Sequence, residues 1–255
     1  GHRVINPLAF MAFSSDAGEQ LQCAKIFSAH RFPLAREQLW TGQAFAHRSL
    51  RVAFISADFR EHPVGYVFIE LLENLGRLGI DTIGVSCGID DQSTLYSRYK
   101  SAFTHCLDAR RLTSREVAVW LRAMEVDIAL DLSGYTSGTR LDILSYRPCP
   151  KQVSYLGFPG TLGNDFIDGL IADRSVIPQE HQEHYPEKVY YLESCYLPRD
   201  FSTQPSQTTP TRQELGLPES GTVYCCFCHI YKISPVVFEA WVRILERDPK
   251  GVLWL

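Results

Sequence analysis

Four ionisable side chains fall within five positions, Asp58, Arg60, Glu61 and His62, directly after the apolar run Val52-Ala53-Phe54-Ile55 and before Pro63 and Gly65. An imidazole titrates near neutrality, and beside a carboxylate it can take and return a proton, so this spacing suits general acid–base chemistry. Two further stretches follow apolar runs: Ser133-Gly134-Tyr135-Thr136-Ser137-Gly138-Thr139-Arg140 and Gly157-Phe158-Pro159-Gly160-Thr161-Leu162-Gly163. Glycine lets backbone amides approach a ligand closely, and Arg140 offers an anion its guanidinium. Taken singly, each stretch also has the composition of a solvated turn. If all three close strands of one parallel sheet, they share its carboxyl edge, where such sheets bind ligands, and together make a pocket.

The segment Cys225-Cys226-Phe227-Cys228-His229 has the composition of a metal site. Along an extended strand, however, alternate side chains point to opposite faces, so these five do not converge on one tetrahedral ion, and no metal is expected. The other cysteines, Cys23, Cys87, Cys106, Cys149 and Cys195, are isolated in apolar surroundings and read as small buried residues in a reducing, cytoplasmic compartment.

Residues 1–49 begin with a helical pattern: Leu8, Met11 and Ala12 on one apolar face, then Leu21, Ala24, Ile26 and Phe27 on another, with Ser14-Ser15-Asp16 as a cap between them and Pro33 as the stop. From residue 50 to 201, strand and helix patterns alternate. Strands are expected at Val52–Ile55, Thr82–Val85, Val126–Leu130, Gln152–Tyr155 and Leu170–Ala172. Helices are expected after Pro63, at Leu141–Tyr146, and from Thr113, whose spacing to Glu116 is that of a capping box. This alternation predicts an α/β domain with a mostly parallel sheet and helices on both faces. Residues 202–221 have linker composition, with a second capping-box pair at Thr211 and Glu214 opening a turn or two of helix. Residues 222–255 start afresh as strand, helix and strand, ending before a core could close, so the chain reads as part of something longer.

With 255 residues, 45% hydrophobic and 21% charged, the chain is globular, and its net charge of −4 gives no electrostatic footprint for nucleic acid or an anionic membrane. There is no apolar run long enough to span a bilayer. Neither a G-x-G-x-x-G fingerprint nor a P-loop lysine motif is present, which removes two common nucleotide sites but leaves nucleotide sugars open.

Five motifs carry a resemblance: Asp58-Phe59-x-x-His62-Pro63, Gly134-Tyr135-Thr136-x-Gly138-x-Arg140, Arg147-Pro148-x-Pro150, Leu156-Gly157-Phe158-Pro159-Gly160-Thr161 and Tyr231-Lys232-Ile233. In this order they resemble the O-GlcNAc transferase and SPINDLY family of glycosyltransferases, over roughly residues 50 to 255. The resemblance implies the amino-terminal half of a GT-B fold: a Rossmann-like domain, preceded by helices like those joining that family's tetratricopeptide (TPR) array to its catalytic region, and followed by the start of a second Rossmann-like domain. It implies an inverting transfer of a sugar from a nucleotide donor, UDP-GlcNAc, to protein serine or threonine, with no cofactor and no required metal. Its partners would be the nucleotide sugar, protein or peptide acceptors, the TPR array and the rest of the second domain. The portion in hand would not turn over alone.

The same resemblance gives residue roles. Asp58 and His62 match a pair beside donor sugar and acceptor, Lys232 the lysine facing the diphosphate, and Tyr231 its neighbour. Pro63, Leu156, Gly157, Pro159 and His229 would contact the donor, and Thr136, Arg140, Gly160 and Thr161 would line the cleft. Cys228 and His229 stand where the family shows asparagine or glutamine, and Asn6 where some members place a histidine. These departures keep two alternatives open: a relative using GDP-fucose or UDP-glucose, and a degenerate transferase that only binds peptides or proteins.

Overall fold

The computed structural model describes residues 5–204 and 206–255, with Tyr231 described in its backbone only. The chain divides into two compact units, Gly1–Ser202 and Thr203–Leu255.

In the first unit, helices α1 (Pro7–Phe10) and α2 (Ala17–Arg31) precede a seven-stranded sheet of β1 (Arg51–Ser56), β2 (Asp81–Ser86), β3 (His105–Asp108), β4 (Ile128–Asp131), β5 (Lys151–Ser154), β6 (Gly169–Ala172) and β7 (Lys188–Tyr191). Every pairing is parallel, and the order is β3-β2-β1-β4-β5-β6-β7. The crossovers carry α3 (Pro63–Arg77), α4 (Thr94–Ala102) and α5 (Ser114–Ala123). Val52–Ile55 of β1 are apolar, as a strand buried on both faces requires. Val52 and Phe54 pack with Phe68, Ile69 and Leu72 of α3, whereas Ala53 and Ile55 pack in the cluster that holds Val117, Ala118 and Leu121 of α5. The capping box forms as expected: the Thr113 N–H donates to Glu116 Oε2 at 2.7 Å and the Glu116 N–H to Thr113 Oγ1 at 3.3 Å. Asp16 caps α2, accepting the Glu19 N–H at 2.8 Å.

The structure corrects several expectations. Ile26, assigned to an apolar face, is 49% exposed; of that face Ala24 is buried as expected, together with Cys23 and Ser28. The short helix expected at Leu141–Tyr146 is present with those bounds, as a 3₁₀ helix. α4, β3 and β7 were not anticipated, because His105–Asp108 is an exposed edge and Lys188–Tyr191 has only Val189 buried, so neither shows an apolar run. The Thr211–Glu214 pair bonds as a capping box does, but it closes a turn with no helix beyond. Only Cys23 and Cys149 are buried; Cys106, Cys195, Cys225 and Cys228 are exposed.

An apolar groove of about 540 Å³ lies on the α3 side of the sheet, lined by residues such as Phe54, Leu71, Leu130, Val153 and Tyr190. It lacks the convergent polar groups of a reaction site. The second unit is a βαβ start: β8 (Val223–Cys225) pairs in parallel with β9 (Val252–Trp254) through α6 (Pro235–Arg247), which Ser234 caps. No helix among the described residues is long and apolar enough to cross a membrane.

Candidate active site

The strand order reverses between β1 and β4, so the crevice at a topological switch point opens outside their carboxyl ends. The two loops flanking it are the one after β1, carrying Asp58 to His62, and the one after β4, carrying Ser133 to Arg140. They touch: a Cβ on Gly138, which has φ +78°, would lie 2.7 Å from the Ala57 Cβ. Position 138 therefore favours glycine twice over, for its backbone conformation and for the close approach.

His62 is the N-cap of α3, with Pro63 at the first helical position. Its Nδ1 accepts the Val64 N–H at 3.3 Å and stands 3.6 Å from Asp58 Oδ2. Asp58 also meets Arg60 Nη2 at 3.5 Å, and its own N–H donates to Ser56 Oγ at 3.0 Å. The side chain of Asp58 is 7% exposed and that of His62 35%, so the imidazole is the member of the pair that a ligand can reach. Burial pushes the Asp58 carboxyl above its ordinary range, and His62 and Arg60 pull it back in part.

The cap fixes the proton arrangement. While Nδ1 accepts from Val64, a neutral ring carries its proton on Nε2, and the outward nitrogen donates. For Nε2 to accept a proton, Nδ1 must hold one, and the Asp58 carboxylate 3.6 Å away is an acceptor close to that nitrogen. A shortening of about half an ångström would turn the 3.6 Å contact into a hydrogen bond. Asp58 thus selects the form of His62 able to act as a base, and the Val64 N–H selects the form able to donate.

The loop after β5 turns sharply. Leu156 has φ +76° and the Gly157 N–H reaches the Tyr155 carbonyl at 3.0 Å, a strained three-residue turn for a bulky residue. Gly157 runs against β4's exit, where a Cβ would lie 2.1 Å from the Leu132 carbonyl oxygen. Gly157→Ala should therefore lower unfolding free energy by about 2 kcal/mol or more, read by urea denaturation. An unchanged midpoint would mean that the loop yields freely.

The other expected site residues have their own partners and surroundings. Arg140 does not present its guanidinium to the crevice; it donates to the Ala109 and Leu112 carbonyls at 3.2 and 3.0 Å and to Ser114 Oγ at 3.0 Å, tying this loop to the start of α5. Thr161 is buried and donates to Glu187 Oε2 at 2.8 Å, and Gly160 is buried against Phe158. Thr136 is half-buried and donates to the Ser133 carbonyl at 2.8 Å, while Leu156 is buried, Gly157 half-buried and Pro159 exposed. Asn6 caps α1 and donates to the Tyr135 carbonyl at 3.1 Å, which brings the first helix to the Gly134–Thr136 turn.

Two buried carboxylates that hold these loops escaped sequence reasoning. Asp131, the last residue of β4, is 1% exposed and accepts the Gly134 N–H at 2.6 Å. Burial pushes its carboxyl up to about 6, against the pull of the Gly134 and Ser133 amides. The available signal was an acid ending an otherwise apolar strand. Glu187 accepts from Thr161, from the Leu162 N–H at 2.7 Å and from the Gly163 N–H at 3.1 Å, holding the glycine-rich loop from 24 to 26 residues away. Its distance along the chain hides it.

In the second unit, the turn after β8 carries His229 and Lys232. His229 precedes a single 3₁₀ turn, Ile230–Lys232, closed by the Lys232 N–H donating to the His229 carbonyl at 2.9 Å. Lys232 is exposed, and the side chain of Tyr231 lies outside the described residues. Among the described residues no three His, Cys, Asp or Glu side chains gather as metal ligands.

Similarity to known proteins agrees with this architecture. The chain is 32% identical over 213 residues to an Arabidopsis thaliana protein named probable UDP-N-acetylglucosamine–peptide N-acetylglucosaminyltransferase SEC, covering 82% of this chain and 22% of that protein. It is 25% identical over 240 residues to the Arabidopsis SPINDLY protein of the same enzyme name, covering 90% of this chain and 26% of the relative. The chain thus spans about a quarter of the length of these relatives. A solved mutant of the Thermobaculum terrenum O-GlcNAc transferase superposes with a TM-score of 0.82 at 26% identity, over 97% of this chain and 47% of that one. The model for glycosyl transferase family 41 matches residues 16–204 and 201–255, nearly the whole sequence, and the chain belongs to that family.

Proposed function

We propose that the full-length protein transfers N-acetylglucosamine from UDP-N-acetylglucosamine to serine or threonine hydroxyls of proteins, and that this chain supplies residues for both the acceptor and the leaving group. The observation that carries the reading is the Asp58–His62 pair beside the β1/β4 switch point of a family 41 chain. An attacking hydroxyl must lose its proton as it bonds to the anomeric carbon, and an imidazole backed by a buried carboxylate suits that task. The departing diphosphate gains charge, and the Lys232 ammonium is the group assigned to stabilise it, so no metal or cofactor is called for. Tyr231 and His229 are assigned to the donor beside it, with Pro63, Leu156, Gly157 and Pro159 from the first unit.

Protein acceptors, a TPR array, a completed second domain and a cytoplasmic location belong to the same proposal, in keeping with the quarter of its relatives' length that the chain spans. Cys228 and His229, in place of asparagine or glutamine, are the specific observation favouring a different donor. A binding panel on the full-length protein separates the readings. UDP-N-acetylglucosamine should bind at least about tenfold tighter than GDP-fucose or UDP-glucose. The reverse order would replace the donor, and no binding of any would leave a protein-binding relative.

A further inference from the structure

The turn after β8 contains a second chemistry. Cys226 and Cys228 bring their sulfurs to 3.3 Å, next to the loop that carries His229 and Lys232. The Cys226 N–H donates to the Trp254 carbonyl at 3.0 Å, so the first thiol is anchored at the end of the parallel pair, while Phe227 packs edge-on against Trp254 with ring centroids 5.0 Å apart. Cys228 is exposed and Cys226 half-buried, so an oxidant can reach them, whereas Cys23 and Cys149 are buried.

We infer that Cys226 and Cys228 are a redox-active dithiol that closes to a disulfide on reaction with a peroxide and thereby alters the loop leading to Lys232. Cys226 is the attacking sulfur. The Cys228 backbone N–H and thiol both bond to it and hold its pKa below the ordinary thiol value, while the same contact raises that of Cys228. The Cys226 thiolate attacks one oxygen of hydrogen peroxide; the O–O bond breaks, hydroxide leaves and is protonated to water, and a sulfenic acid forms. The Cys228 sulfur then attacks that sulfenic sulfur. The S–S bond forms, the S–O bond breaks, and hydroxide leaves with the Cys228 proton as a second water. Two thiols have lost two hydrogens, the peroxide is reduced to two waters, and an external dithiol reverses the bond by exchange. The ring so formed spans only Phe227, which constrains the backbone entering His229. The consequence for the donor rests on the function proposed above; the thiol chemistry does not.

Treating the full-length protein with one equivalent of hydrogen peroxide, alkylating and mapping peptides tests the chemistry. Expected is a Cys226–Cys228 bond reversed by dithiothreitol, retained in Cys225→Ser, absent in Cys226→Ser, and arrested as a trappable sulfenic acid at Cys226 in Cys228→Ser. Both thiols remaining alkylatable, or a bond to Cys225 or to another chain, would overturn the inference. UDP titration then tests the consequence. Oxidation should weaken binding about tenfold, the effect of losing one charge-assisted hydrogen bond. Equal affinity in both redox states would overturn the coupling. A reduced protein that does not bind UDP would instead count against the donor reading of the loop, with the disulfide map standing separately.

Discussion

His62→Ala in the full-length protein should reduce sugar transfer by about 10²- to 10⁴-fold in kcat, the range for losing a positioned acid or base. Asp58→Asn should act through His62. It removes the negative charge that favours a proton on Nδ1, 3.6 Å away, and offers an amide that can donate to Nδ1 as the Val64 N–H does, so the ring is held in its donating form. Because burial raises the Asp58 carboxyl, the wild-type rate should fall on acidification at a pH above the ordinary carboxylate range, as the protonated acid ceases to support the base. In Asp58→Asn most of the rate should be lost at every pH, since the neutral amide does not support the base. A kcat for His62→Ala within threefold of wild type would remove His62 from the chemistry, and a kcat for Asp58→Asn within threefold of wild type would remove Asp58 from it.

The second large effect is on stability and has an unusual sign. Asp131 titrates near 3.8 when solvated and near 6 in the fold, so between those values the native state holds a proton that the unfolded chain has lost. Its contribution is complete below the unfolded value and is lost as pH rises through the folded one. A shift of about two units corresponds to roughly 3 kcal/mol, carried as a cost of burying the carboxylate at neutral pH. Asp131→Asn keeps an oxygen for the Gly134 N–H and removes the charge, at the expense of a buried amide to satisfy. We therefore expect it to gain about 2 kcal/mol at pH 8 and nothing at pH 4, measured by urea unfolding at both. Lower stability at pH 8 would show that the ionised carboxylate is stabilised beyond its two backbone amides. A costly acid at the floor of the switch point is the kind of group that sites retain for function.

Those two residues mark the boundary of what sequence reveals. His62 was legible because its signals are local: an apolar strand, a stop, a helix-opening proline. The capping box at Thr113 and Glu116 was legible for the same reason, since both partners lie within one turn. Arg140 and Thr161 were not, because what decides them is contact at a distance; the bonds of Asp131 are local, but its burial comes from the sheet packed around β4. Arg140 could have faced an anion on sequence grounds, but three acceptors 26 to 31 residues earlier claim its guanidinium. Thr161 looked like a loop hydroxyl until Glu187 was folded beneath it. β3 and β7 lie at the two edges of the sheet, where one side of each strand has no partner and the apolar pattern fades. The strand order itself, and hence the position of the crevice, depends on long-range pairing that no local pattern encodes.

The most direct test of the account is to incubate the full-length protein with UDP-N-acetylglucosamine labelled in the sugar and a mixture of acceptor proteins, and to map the label by mass spectrometry. The prediction is label on serine or threonine hydroxyls, lost in both His62→Ala and Lys232→Ala while each variant remains folded. Transfer that survives in Lys232→Ala would contradict the leaving-group assignment. Intact donor in the presence of correctly folded wild-type protein, with UDP-N-acetylglucosamine, GDP-fucose and UDP-glucose alike, would contradict the proposed activity altogether.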